Sequence, residues 1–139
     1  MLENFDYISE NENATIQLGI MFSKQLKQGD VIGFNGDLGT GKTTFIKGVL
    51  LGLNYKEIVT SPTFTLINEY DAIYKILHID FYREKNIQRW KNIGFEEIIN
   101  NDNIVLIEWS NLIPDLLPKK INILNFTHIE KNKRKISIQ

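Results

Sequence analysis

The segment from Gly36 to Thr43 has the residue types and spacing of a phosphate-binding loop. It reads Gly-Asp-Leu-Gly-Thr-Gly-Lys-Thr, which satisfies the pattern G-x-x-x-x-G-K-[ST]. Glycines let a backbone turn tightly enough to aim consecutive N–H groups at phosphate oxygens. We expect Lys42 to reach the β- and γ-phosphates of a nucleotide, and the Thr43 hydroxyl to bind Mg²⁺. The predicted nucleotide contacts are Gly36, Asp37, Leu38, Gly39, Thr40, Gly41, Lys42, Thr43 and Thr44.

Enzymes with such a loop need an acid at the end of a neighbouring strand to hold Mg²⁺, directly or through water. Two acids fit this description. Glu108 follows four aliphatic residues at 104–107, and Asp80 ends the segment Ile-Leu-His-Ile-Asp at 76–80. Both strands are expected to end on the side where the loop lies, so the residue types leave the choice open. His78, inside the second segment, is interpreted as a core residue or as support for the ligands.

The remaining sequence favours ATP over GTP and a hydrolase over a kinase. No Asn-Lys-x-Asp signal for guanine occurs, so we expect adenine to be bound. The chain has three arginines, Arg83, Arg89 and Arg134. They do not form an arginine-rich lid, which argues against a small-molecule kinase.

Composition limits the class of protein further. A length of 139 residues fits one domain over residues 1–139. The net charge of −1 argues against tight, autonomous binding to nucleic acid. The absence of cysteine excludes disulfides and thiolate metal sites. Because residues 1–6 do not resemble a signal peptide and no apolar run is long enough to span a bilayer, we expect a cytoplasmic protein without a membrane anchor.

The hydrophobic pattern predicts the elements that would position this site. A first helix is expected over residues 10–28, with a capping box formed by Ser9 and Glu12. Its apolar face is predicted from Ala14, Leu18, Met21, Phe22 and Leu26. Strands are predicted at residues 31–34, 65–70, 74–79 and 104–107, and the short connection at 71–73 indicates that the second and third of these pair as a hairpin. Helices are predicted after the loop and at 94–100, and a final hairpin from 121–129 and 135–138. The expected fold is a three-layer α/β P-loop domain whose mixed, mostly parallel sheet has six or seven strands and a C-terminal antiparallel hairpin.

Four motifs in order resemble one known family. They are Gly-Asp-Leu-Gly-Thr-Gly-Lys-Thr-Thr from Gly36, Ser-Pro-Thr-Phe-Thr-Leu from Ser61, His-Ile-Asp-Phe-Tyr-Arg from His78 and Ile-Glu-Trp from Ile107. Together they resemble the TsaE (YjeE) family, the ATPases of bacterial tRNA threonylcarbamoyladenosine synthesis. The resemblance implies that the chain acts with TsaD and TsaB, and that tRNA is met indirectly through that complex. ATP hydrolysis is then expected to reset the complex between turnovers.

The same resemblance implies roles for individual residues. Lys42, Asp80 and Glu108 are implied to be catalytic, with Thr43 and Glu108 as the Mg²⁺ ligands. Six further residues are implied to face a partner protein or to change conformation in response to the γ-phosphate. They are Ser61, Pro62, Thr63, Tyr82, Arg83 and Trp109. By analogy, the adenine would lie near Glu10, Asn11 and Arg134.

Three classes of function stay open from the sequence. The first is a weak, partner-activated, Mg²⁺-dependent ATPase of tRNA modification. The second is a small-molecule kinase on the same fold, which would transfer the γ-phosphate to an acceptor other than water. The third is a nucleotide-sensing interaction protein that binds ATP without turnover.

Overall fold

A computed structural model describes residues 4–57 and 66–139 of the chain. The predicted switch residues Ser61, Pro62 and Thr63 lie outside these ranges, as does the start of the strand predicted at 65–70. The strands are β1 (Asp6–Ser9), β2 (Val31–Asn35), β3 (Ile67–Asp71), β4 (Lys75–Asp80), β5 (Ile104–Glu108), β6 (Asn122–Glu130) and β7 (Lys133–Ile138). The α-helices are α1 (Glu12–Ser23), α2 (Lys42–Gly52), α3 (Ile87–Asn92) and α4 (Phe95–Ile99).

The seven strands form one mixed sheet in the order β1-β7-β6-β2-β5-β4-β3. The four central neighbours β6, β2, β5 and β4 are parallel to one another. Both predicted hairpins are confirmed, because β3 pairs with β4 and β6 with β7 in antiparallel register. The strand β1 adds to the outer edge of β7, also antiparallel. Five of the seven strands therefore point in one direction, and their carboxyl ends meet at one edge.

Alternation along the strands divides the buried side chains into two layers. On β5, Ile104 and Leu106 pack into the cluster that contains residues of α1 and α2. Val105 and Ile107 pack on the opposite face with residues of α3 and α4. The result is a three-layer arrangement, with helices on both faces of the sheet.

The start of the first helix differs from the prediction. Ser9 is the last residue of β1, a strand that the sequence pattern did not reveal. The helix begins at Glu12 and ends at Ser23, and its cap is Asn11, whose Oδ1 accepts from Ala14 N at 2.7 Å. The Ser9 hydroxyl instead donates to Asn11 O at 2.9 Å. The predicted capping box of Ser9 and Glu12 is therefore wrong, because strand pairing with β7 fixes Ser9 before the helix starts.

The buried face of α1 also differs from the predicted one. Met21 is 37% exposed, whereas Gly19 is buried. A Cβ on Gly19 would overlap the carbonyl oxygen of Phe45 and would lie 2.9 Å from the Cα of Gly48. The two helices thus approach through backbone, and large apolar side chains do not mark this contact in the sequence.

The helical layer on the other face has one more helix than was predicted. The helix expected at 94–100 is α4, and α3 precedes it. The cap of α3 is Asn86, whose Oδ1 accepts from Gln88 N at 2.9 Å.

Over the described residues, no helix combines the length and apolarity needed to cross a bilayer.

Candidate functional site

The glycine loop, residues 36–41, connects the end of β2 to the start of α2. Gly36, Gly39 and Gly41 all have positive φ, at 151°, 77° and 96°. A Cβ at Gly36 would lie 2.5 Å from Phe126 O, and one at Gly41 would lie 2.5 Å from Nη1 of Arg134. The left-handed backbone favours glycine at both positions, and at Gly36 the neighbouring backbone oxygen also leaves no space for a side chain. The tight turn leaves the first N–H groups of α2 facing the cleft beside it.

Lys42 is buried at the first turn of α2, folded back under the glycine loop. Its Nζ donates to Gly36 O and, at 3.0 Å, to Asp37 O. The ammonium also lies 4.2 Å from the centre of the Trp109 ring. Burial lowers the pKa of Lys42, whereas the negative charges of Glu108, Asp80 and Asp37 oppose this by favouring the ammonium form. The site therefore holds a partly desolvated cation, which would interact strongly with an anion.

Thr43 and Glu108 meet across the gap between α2 and β5. The Thr43 hydroxyl lies 3.1 Å from Oε1 of Glu108 and 3.4 Å from Oε2. The other side of the carboxylate contacts His78, whose Nε2 lies 2.6 Å from Oε2. Glu108 ends β5 on the same face as Leu106, so the sheet period aims its carboxylate at the start of α2.

Asp80 lies directly opposite Glu108 in the pairing of β4 with β5. Its Oδ1 accepts a hydrogen bond from Tyr82 N at 2.9 Å. Burial raises the pKa of Asp80 above the usual aspartate value, and the negative charge of Glu108 raises it further. Two neighbouring carboxylates thus share one end of the cleft, and a cation placed there would relieve their repulsion.

Trp109 follows β5 in the left-handed region, with φ 58° and ψ 38°. This conformation is uncommon for a residue other than glycine. Trp109 N donates to Phe34 O at 2.8 Å, and the Asn35 side chain fixes the next residues by accepting from Ser110 Oγ at 2.6 Å. The turn holds the indole between the Lys42 ammonium and the Tyr82 ring, whose centre lies 5.0 Å away. Asn35 could not be identified from the sequence, because a lone Asn at a strand end carries no recognisable signal.

These groups line one open cleft of about 740 Å³. Its walls are formed by Glu12, Leu38, Gly39, Thr40, Gly41, Lys42, Thr43, Thr44, Asp80, Tyr82, Arg83, Glu108, Trp109 and Arg134. The structure therefore brings together most of the predicted residues of the described segments. Gly36 and Asp37 lie behind this wall, where their carbonyl oxygens accept from Lys42.

The predicted adenine contacts are only partly together. Arg134 lines the cleft, but Glu10 and Asn11 do not. Glu10 Oε1 lies 3.8 Å from Lys133 Nζ, and the Asn11 side chain caps α1. Glu12 lines the cleft instead, one helical residue further on, and the sequence analysis assigned it only to a capping box. The roles of Glu10, Asn11 and Arg134 toward a base stay predictions.

The donor set suits a hard cation that retains other ligands. No cluster of three or more His, Cys, Asp or Glu side chains able to hold a metal is found in the described segments. Mg²⁺ is typically bound through one or two carboxylates together with water and substrate phosphates. One carboxylate and one hydroxyl, Glu108 and Thr43, match that requirement. The cleft also offers a cation and the helix N-terminus for an anion.

Comparisons with known proteins agree on one family. The model of the family described as "Threonylcarbamoyl adenosine biosynthesis protein TsaE" matches residues 9–136. A tRNA threonylcarbamoyladenosine biosynthesis protein TsaE from Rickettsia felis is 38% identical over 135 residues, which covers 94% of this chain and 77% of the relative. The protein of that name from Treponema pallidum is 30% identical over 131 residues, covering 94% and 97%. The crystal structure of Bacillus subtilis YdiB matches with a TM-score of 0.84 at 31% identity, covering 99% of this chain and 86% of that one.

Proposed function

The chain belongs to the TsaE family of threonylcarbamoyl adenosine biosynthesis proteins, and we propose that it is a P-loop ATPase that binds and hydrolyses ATP with Mg²⁺. We further propose that it serves threonylcarbamoyl modification of the tRNA adenosine next to the anticodon. In this role it acts in the cytoplasm with TsaD and TsaB and resets the transferase complex between turnovers.

One observation carries the ATPase proposal. The Thr43 hydroxyl and the Glu108 carboxylate are 65 residues apart in sequence, yet lie at 3.1 Å beside the buried ammonium of Lys42. A packed core alone gives no reason to bury a lysine and a glutamate at one strand end, because isolated buried charges are costly. A polyanion with a divalent cation would satisfy both charges at once.

Each group has a defined task in this proposal. Lys42 holds the glycine loop through two carbonyl oxygens, and its ammonium binds phosphate oxygens. Thr43 and Glu108 hold Mg²⁺, which supplies neutralisation of phosphate charge when bound. Asp80 orients or deprotonates the attacking water, since its raised pKa makes it a better proton acceptor than an ordinary aspartate. Trp109 shields one side of the ammonium from water.

Partner dependence is proposed because the cleft wall carries as many acidic side chains, Glu12, Asp80 and Glu108, as basic ones. Arg83 and Arg134 are the arginines in its wall. Arg83 lies on the short turn after Asp80, where its N donates to Asp80 O at 3.3 Å. A correctly placed arginine contributes about 10³–10⁵ in the rate of phosphoryl transfer. We therefore propose a slow ATPase in isolation and a faster one when TsaD and TsaB complete the site.

Direct capture of tRNA by this chain has little support. The net charge is −1. Two lysines of the final hairpin lie near acids, with Lys133 Nζ 3.2 Å from Glu130 Oε1 and Lys135 Nζ 3.8 Å from Asp6 Oδ1. Because backbone binding to nucleic acid depends on unpaired basic groups, the partners are proposed to hold the tRNA.

The test compares ATP turnover by the purified chain alone with turnover after adding TsaD and TsaB from the same organism. Stimulation, ATP-dependent co-elution and restored tRNA modification are expected, and Lys42→Ala should abolish the stimulation. Turnover without any response to the partners would reject the partner proposal. Transfer of the γ-phosphate to a small acceptor would favour the kinase alternative, and binding without turnover in the full complex would favour a sensor.

A further inference from the structure

His78 is a fully buried imidazole to which the proposed function assigns no task. It lies on β4, where the register pairs His78 with Leu106 and Asp80 with Glu108 of β5. His78 and Glu108 are therefore diagonal neighbours on the face that carries α2. Glu108 lines the cleft, whereas His78 is absent from its wall and lies behind the carboxylate.

Both oxygens of Glu108 lie near the Thr43 hydroxyl, and Oε2 also contacts His78. Oε2 lies 2.6 Å from Nε2 of His78. Oε1 is the oxygen nearer to the Thr43 hydroxyl, at 3.1 Å against 3.4 Å for Oε2. An ionised carboxylate only accepts hydrogen bonds, so His78 donates through Nε2–H. The carboxylate is thus held from behind by a short bond, and Oε1 is turned toward the start of α2.

Packing does not explain the imidazole. Its other nitrogen, Nδ1, is buried without a hydrogen-bond partner among the residues that the structure describes. One face of the ring lies near Tyr70, with ring centres 6.2 Å apart. A leucine would fill such a space without leaving a buried polar atom unpaired. The polar chemistry of His78 in this structure is its bond to Glu108.

We propose that His78 is a positioning residue that fixes the Glu108 carboxylate with Oε1 toward Thr43. This inference rests on the proposed function, because the carboxylate needs that orientation as a Mg²⁺ ligand. Groups that hydrogen-bond metal ligands from behind commonly contribute about 10–100-fold to metal affinity. His78 therefore sets how well the site binds Mg²⁺ without touching the cation or the nucleotide.

The experiment measures binding of a non-hydrolysable ATP analogue by calorimetry, first in EDTA and then over a Mg²⁺ titration. Mg²⁺ is expected to increase the affinity for the analogue, and His78→Leu should raise the Mg²⁺ concentration that gives half of this increase by about 10–100-fold. Binding of the analogue in EDTA should be unchanged. His78→Gln, whose amide nitrogen reaches close to the Nε2 position, should recover most of the loss. Ile76→Val is the matched control, because Ile76 is buried on the same strand and face but lies away from Glu108.

A second comparison separates this inference from the function on which it rests. In a Glu108→Gln background, His78→Leu should have little further effect on the Mg²⁺ titration, because the carboxylate ligand that His78 positions is already absent. Additive losses of Mg²⁺ affinity in the double variant would overturn the inference. So would equal Mg²⁺ titrations for His78→Gln and His78→Leu, or a loss of metal-free analogue binding that matches the loss with Mg²⁺. If Glu108→Gln itself leaves the Mg²⁺ titration unchanged, the proposed Mg²⁺ site is wrong. Should His78→Leu fail to fold, His78→Asn serves instead, since its shorter amide does not reach Glu108.

Discussion

The two faces of the sheet bury different chemistry. On the face covered by α1 and α2, the side chains of Lys42, His78 and Glu108 are buried at the carboxyl ends of the strands. On the face covered by α3 and α4, no Asp, Glu, Lys, Arg or His side chain of the described residues is fully buried. That face is filled by aliphatic side chains and by the contacting rings of Phe81, Trp90 and Phe95.

This difference shows how one sheet separates stability from function. Because side chains alternate along a strand, the buried residues that β4 and β5 supply to the α3–α4 face are all apolar, whereas those on the α1–α2 face include His78 and Glu108 beside apolar residues. Burial of charge costs free energy that the apolar clusters on both faces must offset. Substitutions on the α3–α4 face are therefore expected to change the free energy of unfolding, and substitutions on the α1–α2 face at the cleft to change ligand binding.

The largest expected effect is a loss of stability from Trp90→Ala. The indole is fully buried in contact with the rings of Phe81 and Phe95, and Nε1 donates to Glu84 O at 2.8 Å. Truncation of such a side chain typically costs about 3–5 kcal/mol in the free energy of unfolding. Urea denaturation measures this loss, and Trp90→Phe should show a smaller one. Nucleotide affinity should be unchanged at low urea, so a parallel loss of affinity in Trp90→Phe would contradict the separation of the two faces.

The next effect is a loss of activity from Lys42→Ala. Removing an electrostatic group aimed at the reacting phosphate commonly costs about 10²–10³ in rate, and ATP binding should weaken as well. Lys47→Ala is the matched control, because Lys47 lies on the same helix but does not line the cleft. Steady-state turnover and ATP affinity are the measurements. Equal values for both variants would remove the basis for the phosphate-loop assignment.

Local signals in the sequence predict the part of the site that is local in the chain. The glycine loop, the helix after it and the acids at the ends of β4 and β5 are all marked by short patterns, and both hairpins were predicted correctly. The edge strand β1 was missed because its four residues pair with β7, about 125 residues away. The buried face of α1 was misjudged because Gly19 and Gly48 make the contact through backbone.

Contacts between distant segments could not be read from the sequence. The His78–Glu108 bond depends on the register of β4 with β5, which no local pattern encodes. Trp109 was predicted to line the site, but its left-handed backbone and its position over Lys42 depend on Asn35 and Phe34 in another strand. The sequence therefore predicts which residues carry the chemistry, and the sheet determines how they are oriented.

The smallest expected effect is a gain of stability from Asp80→Asn. This variant tests whether the buried negative charge in the cleft lowers the free energy of unfolding. The pKa of Asp80 is raised in the folded state, first by burial and then by the charge of Glu108. The folded protein therefore binds the Asp80 proton more tightly than the unfolded chain does. The ionised carboxylate destabilises the fold at pH values above its folded pKa, and the penalty disappears as the pH falls below the unfolded value.

Asp80→Asn should accordingly raise the free energy of unfolding at pH 8, and the difference from the wild type should shrink toward pH 4. The gain should stay below about 1 kcal/mol, since solvent in the open cleft screens the charges. Urea denaturation in EDTA at the two pH values gives the measurement, with Asp71→Asn on the exposed edge of β3 as the control. A gain that persists undiminished at pH 4 would show that charge is not its cause. A loss at pH 8 would mean that the Asp80 bond to Tyr82 N stabilises the turn more than the buried charge destabilises it. The α1–α2 face would then carry no electrostatic cost at this position.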